Sequence, residues 1–200
     1  MSESPSARSE AKAVRRQALL DAAAGLFAAQ GFAGASLEDL GAAAGVSGPA
    51  IYRHFPGKQA VLGALLLEVS EALLEGGRRV AAETDDGAPR LGALVAFHVD
   101  FALVQPDVIR VQDRDFPSLA DDDRERVRAL QLAYVEIWSE SLASLHPAES
   151  ATERRLRAQA AFGLINSTPH SVRRHGGRVP SSSARRMLTA MAMAALEAPA

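Results

Sequence analysis

The chain contains no cysteine, so disulfides, thiolate metal sites and cysteine nucleophiles are all excluded. Aromatic residues are sparse at 5%, with a single Trp and two Tyr. No apolar run approaches the length that crosses a bilayer, and the N-terminal MSESPSARSEAK is polar, without the core of a signal peptide. A cytoplasmic protein with no membrane partner is therefore expected. No window alternates at period two, so no strand is expected either. The five histidines (54, 98, 146, 170 and 175) form no metal-ligand spacing, and Glu with His three residues later, the mark of di-iron bundles, does not occur. Nucleophile elbows and phosphate-cradling glycine loops are missing as well. These absences argue against an enzyme, a resident metal and a cofactor.

What is present is a 200-residue chain, 48% hydrophobic, long enough to bury a sizeable core in one or two domains. Its net charge is −2. Residues 1–58 hold six Lys/Arg and five Asp/Glu, a net of +1, and residues 59–200 hold sixteen and nineteen, a net of −3. So modest a basic footprint predicts a shallow salt dependence for any contact with nucleic acid.

The most informative stretch is SLEDLGAAAGVSGPAIYRHFPGK, Ser36 to Lys58. Ser36 is a helix N-cap, with Asp39 three residues on in a shortened capping box. Leu37 and Leu40 give an apolar face, and Gly41 stays small where a second helix must pass close by. Gly45 ends the helix, because glycine takes a left-handed C′ conformation without strain. Ser47 caps a second short helix and Pro49 falls in its first turn, where a fixed φ helps and a missing N–H costs nothing. Ile51 and Phe55 face inward, which leaves Pro49, Ala50, Tyr52, Arg53 and His54 outward. That is a helix-turn-helix, able to lay one helix across a phosphate backbone and push the other into a major groove. Arg53 is the best residue for base readout, since its planar fork pairs bidentately with guanine. Ala50 can touch a thymine methyl, Gly48 permits close backbone approach, and the helix starts at Ser36 and Ser47 offer amides to phosphates.

Upstream lie Arg16, Leu19, Leu20, Ala22, Ala23, Leu26, Phe27 and Gly31-Phe32, and downstream Tyr52-Arg53-His54-Phe55, Pro56, Lys58 and Leu62. With these flanks, Arg16 to Leu62 resembles the TetR (tetracycline-repressor-like) family of bacterial transcription regulators. The resemblance implies that Tyr52, His54 and Lys58 hold phosphates and that Arg16 clamps one from the first helix. It also implies a homodimer on a palindromic double-stranded operator, and repression in place of activation.

The rest of the chain reads as helices: Ala11 to Gln30, a long fourth helix from Gly57, Pro89 to Val104, Asp107 to Arg114, Asp121 to Leu145, Ser150 to Arg174 and Ser181 to Ala198. The expected fold is all-α, with about nine helices. A disordered arm (1–10) and a three-helix DNA-binding domain (11–58) precede a ligand-binding and dimerisation domain (59–200). The last two long helices, bearing Ala158, Ala161, Phe162, Leu164, Ile165, Met187, Leu188, Met191, Met193 and Leu196, are the expected dimer surface. Phe97, Phe101, Val108, Val111, Gln112, Phe116, Tyr134, Trp138, Phe162 and Asn166 are candidates to line an apolar effector pocket, with His98 expected as a core or edge histidine. The run Arg110 to Asp115 mixes charges and reads as an internal ion-pair network. The words VQDRDF and FGLINSTPH are similar to family members that control fatty-acid, sterol or branched-chain acyl-CoA breakdown. Clustered Arg124, Arg126, Arg128, Arg154, Arg155 and Arg157 are then candidates for coenzyme A phosphates. The expected function is a repressor released from DNA by a small molecule such as an acyl-CoA, the fourth helix tying pocket to motif. The alternative is a helical protein-interaction module, favoured by the slightly acidic charge.

Overall fold

The computed structural model describes residues 7–46, 51–171 and 179–199, and within them only helices and the turns that join them. The first helix, α1, runs Ala7–Gly34. Residues 7–10, expected in the N-terminal arm, are thus helical. Gly31 breaks the helix with φ 83° and ψ 156°, a backbone that disfavours a side chain. Leu19, Leu20, Ala23 and Phe27 form its buried stripe. After it, α2 (Leu37–Ala43) opens on the expected capping box: Asp39 N–H donates to Ser36 Oγ at 3.0 Å, and Ser36 N–H donates back to Asp39 Oδ2 at 3.2 Å. It closes with a pair of reversed hydrogen bonds, Gly45 N–H to Ala42 O and Val46 N–H to Gly41 O, around Gly45 at φ 67°. A Cβ on Gly41 would lie 2.6 Å from Ile51 Cδ1, so the close approach expected there is real.

Next, α3 (Lys58–Glu83) runs for 26 residues without a break. Its first half gives Val61, Leu62, Leu65 and Leu66 to a core shared with α1 and α2. Its second half gives Leu73, Leu74 and Val80 to a second core. That second core is built from α4 (Ala88–Val104), α6 (Asp121–Leu142), α7 (Ala151–Ile165) and α9 (Ser181–Glu197). Between the cores lies α5 (Pro106–Asp115), which places Val108 and Val111 in the first and Ile109 in the second. A 3-10 turn, Phe116–Ser118, links it to α6.

The helix expected to run to Arg174 ends at Ile165. Pro169 cannot continue it, having no N–H and a ring that would meet the Ile165 carbonyl. A short α8, Thr168–Ser171, follows, anchored by the Thr168 hydroxyl donating to Ala102 O at 3.0 Å. The helix starting at Asp121 likewise stops at Leu142, short of Leu145.

Candidate DNA-binding surface and internal cavity

Ile51 and Phe55 are buried in the first core, pinned by His54 and Phe55 amides donating to Ile51 O. This leaves Tyr52 and Arg53 exposed and His54 half-buried, the outward arrangement read from the sequence. Arg53 has no hydrogen bond or ion pair among the described residues, so its guanidinium is available for a ligand. His54 Nδ1 is buried with no hydrogen-bond partner among them. Ser47, Gly48, Pro49 and Ala50 lie outside the described residues.

Three of the expected phosphate contacts are engaged elsewhere. Lys58 Nζ donates to the Phe32 carbonyl at 2.6 Å and the Ala35 carbonyl at 2.7 Å, and sits 4.6 Å from the centre of the Phe32 ring. The amine therefore closes the end of α1, where carbonyls lack intrahelical partners. Arg16 pairs with Glu68 at 2.9 Å and lies 5.4 Å from the Phe55 ring, tying α1 to α3. Ser36 spends its hydroxyl on Asp39, whose carboxylate sits at the start of α2. The Ser36 hydrogen bonds hold that carboxyl below its usual pKa, so a negative charge stands where a phosphate was expected.

In the second half, α3, α4, α5, α6 and α7 enclose a cavity of about 380 Å³, within the size range of small-molecule sites. Six sequence candidates line it: Phe101, Val108, Gln112, Tyr134, Phe162 and Asn166. The other four do not. Val111 is fully buried in the first core, and Trp138 packs behind the wall with its ring 4.7 Å from that of Phe162. Phe116 lies under the Arg128 guanidinium, 5.5 Å away, and Phe97 faces a separate groove beside α1. The sequence reading missed Ser70, Leu73, Ile109, Gln131, Leu132, Val135 and Gln159, and named Arg128 only as a candidate for coenzyme A phosphates. Most of these are polar or aliphatic positions on amphipathic helices, where periodicity gives a face but not its neighbour.

His98 also lines the cavity and joins its polar groups. Its Nε2 lies 3.2 Å from Asn166 Oδ1 and its Nδ1 lies 3.3 Å from the Tyr134 hydroxyl. A neutral ring with its proton on Nε2 satisfies both, donating to Asn166 and accepting from Tyr134. Burial lowers the His98 pKa to about 4 despite the Asn166 contact, and raises that of Tyr134. The ring is therefore uncharged at neutral pH, set in an aromatic cluster where Tyr134 and Phe162 stack 5.5 Å apart.

The arginines proposed for coenzyme A phosphates are mostly paired. Arg124 bonds Asp121, Arg126 lies 3.8 Å from Asp123, Arg155 is 2.6 Å from Glu136 and Arg157 bonds Glu149. Arg154 serves the Ser139 and Glu149 carbonyls. Only Arg128, at the cavity rim, has neither an ion pair nor a hydrogen bond among the described residues.

Two family descriptions match this chain: "Bacterial regulatory proteins, tetR family" over residues 19–65, and "Tetracyclin repressor-like, C-terminal domain" over residues 84–196. The chain belongs to the TetR family. It is 27% identical over 162 residues to the HTH-type transcriptional activator FasR of Mycolicibacterium smegmatis, covering 80% of this chain and 71% of that one. It is 26% identical over 139 residues to the HTH-type transcriptional repressor KstR2 of Rhodococcus jostii, covering 69% and 68%. Among solved structures, a TetR-family regulator from Bordetella parapertussis superposes with a TM-score of 0.77 at 24% identity, covering 88% and 93%. FadR from Bacillus subtilis, in complex with stearoyl-CoA, superposes with a TM-score of 0.69 at 17% identity, covering 90% and 98%. The chain is thus a helix-turn-helix transcription regulator whose relatives are regulators and not enzymes.

This TetR-family chain also carries an uncovered apolar face. Leu156 on α7 and Met187 and Met191 on α9 are 66%, 60% and 51% exposed. Ala158, Ala161, Ile165, Leu188 and Leu196, expected at a dimer surface, are instead buried within the protomer. They pack inside the protomer, while Leu156, Met187 and Met191 stay exposed on the same two helices.

Proposed function

We propose that this protein is a homodimeric repressor released from a palindromic operator when an acyl-CoA or a similar lipid-like molecule enters the cavity. The observation that carries the reading is the cavity itself: α3 and α5 wall it on one side and pack into the helix-turn-helix core on the other. Its lining is mainly apolar, with neutral polar groups at His98, Asn166 and Tyr134 and one unpaired cation at the rim, Arg128. An acyl chain suits the interior and a phosphate suits Arg128. Within the DNA-binding half, Arg53 reads a base, and Tyr52 and His54 hold phosphates. The face bearing Leu156, Met187 and Met191 joins two protomers, so that two reading heads meet half-sites in successive turns of the duplex. Ligand need only prefer the conformation with displaced heads by a few kcal/mol to release the operator.

The test is a fluorescence-anisotropy titration against DNA from upstream of the protein's own gene, with acyl-CoA thioesters of graded chain length. Tight binding abolished by one thioester supports the whole reading. Tight binding indifferent to every thioester keeps the regulator and removes the effector class. Failure to bind at moderate salt returns the interaction module to consideration.

A further inference from the structure

The two halves of the chain meet chiefly where α1 packs on α5, and the Arg114 side chain crosses between these two helices. Arg114, in the last turn of α5, aims its guanidinium at the end of α1. There Nη2 donates to the Phe27 carbonyl and Nη1 to the Ala28 carbonyl at 3.4 Å. These carbonyls lie just before the break at Gly31. The other edge of the guanidinium is fixed by Asp115, with Nε 3.0 Å from Oδ1 and Nη2 2.9 Å from Oδ2. Asp115 is buried, so the fork has little freedom to turn. A Cβ on Gly31 would sit 3.6 Å from Arg114 Cζ, placing the guanidinium directly over the break.

The end of α1 is therefore held by two cations, one from each half. Lys58 takes the Phe32 and Ala35 carbonyls from within the DNA-binding core, and Arg114 takes Phe27 and Ala28 from outside it. The last of these carbonyls, that of Ala35, immediately precedes Ser36, the cap of α2. Further back on α5, Val108, Ile109 and Gln112 line the cavity. Arg114 thus lies two residues beyond a cavity wall and in contact with the element that orients the helix-turn-helix.

We propose that Arg114 is a positioning residue of the regulator: it sets the orientation of the DNA-reading half, and a molecule in the cavity acts on that half by displacing α5 and withdrawing this guanidinium from α1. The proposal rests on the reading of the two halves given above. It differs from control through α3 alone, because it assigns the link to α5 and to one side chain.

The experiment is hydrogen–deuterium exchange on the full chain, read by peptide, for wild type, Arg114→Gln and Arg114→Lys. In Arg114→Gln, amides of residues 27–43 are expected to exchange about tenfold faster, with those of α6 and α7 unchanged. Arg114→Lys keeps one donor and restores most of the protection. Affinity for DNA from upstream of the gene falls about tenfold in Arg114→Gln and recovers in Arg114→Lys. Decanoyl-CoA is the ligand probe: it loosens residues 27–43 in wild type and adds nothing in Arg114→Gln. If decanoyl-CoA does not raise the melting temperature, the effector class is wrong, and the ligand-free comparison still decides the proposal. Wild-type exchange at 27–43 in Arg114→Gln overturns it, as does acceleration spread evenly over both cores.

Discussion

Replacing Lys58 by Met separates a structural amine from a DNA contact. Methionine keeps the apolar stem and removes two charge-assisted hydrogen bonds, at 2.6 and 2.7 Å, to carbonyls at the end of α1. Bonds to charged groups contribute about 1.5–3 kcal/mol each when well formed. The contact with the Phe32 ring adds about 0.5–1 kcal/mol. Because the amine is half-buried, solvent recovers part of both, leaving a loss of about 2–4 kcal/mol. In a chain of this size that is a fall in melting temperature of about 4–16 °C. Urea unfolding gives the stability directly, and DNA titrations at several salt concentrations give the number of phosphate contacts. A structural amine leaves the slope of log affinity against log salt unchanged. A phosphate-holding amine would cost about 0.9 of slope per protomer and no stability. An unchanged melting temperature with a reduced slope would refute the assignment.

Other expectations are as direct. Arg53→Ala should weaken operator binding by about 1–3 kcal/mol without changing the melting temperature, because the side chain is exposed and unpaired; anisotropy and calorimetry check the two halves of the statement. The double substitution Met187→Lys, Met191→Lys should yield a folded monomer by sedimentation, with operator affinity lost alongside the dimer. His98 ties stability to pH: its folded pKa of about 4 lies below the 6.5 of the unfolded chain, so the unfolded state takes up the proton first. Stability is then complete above pH 6.5 and falls by up to about 3 kcal/mol as pH drops toward 4. His98→Phe should remove that part of the slope in urea unfolding at graded pH.

The local punctuation of the fold was legible in the sequence. Ser36 with Asp39, Gly45 after α2 and Pro89 in the first turn of α4 each act through residues within a few positions, so their effect follows from their own chemistry. The burial of Ile51 and Phe55 followed from their spacing. Partners across the fold did not. Lys58 lies 26 positions from the carbonyl of Phe32 and Arg114 lies 87 from that of Phe27, separations at which no pattern links donor to acceptor. The same limit explains the cavity: periodicity identified Val111 and Trp138 as inward-facing, but which of two adjacent cores received them depended on how α5 and α6 cross α3. The arginines of α6 and α7 looked like an anion site because their charges cluster, whereas Asp121, Asp123, Glu136 and Glu149 had already neutralised most of them.

The unbroken course of α3 through both cores has a mechanical consequence. Twenty-six residues make a rod of about 39 Å. If Ser70 and Leu73, where it lines the cavity, are the fulcrum, the arm to Lys58 is about 20 Å and a tilt of about 5° carries that end through about 2 Å, roughly half the spacing between neighbouring base pairs. A lever of this kind amplifies: side-chain adjustments too small to disturb the packing around Leu74 become a misalignment at the groove. It also separates two tasks along one piece of backbone, since residues beyond Ser70 can change to suit a different ligand while those before it keep their grip on the reading head.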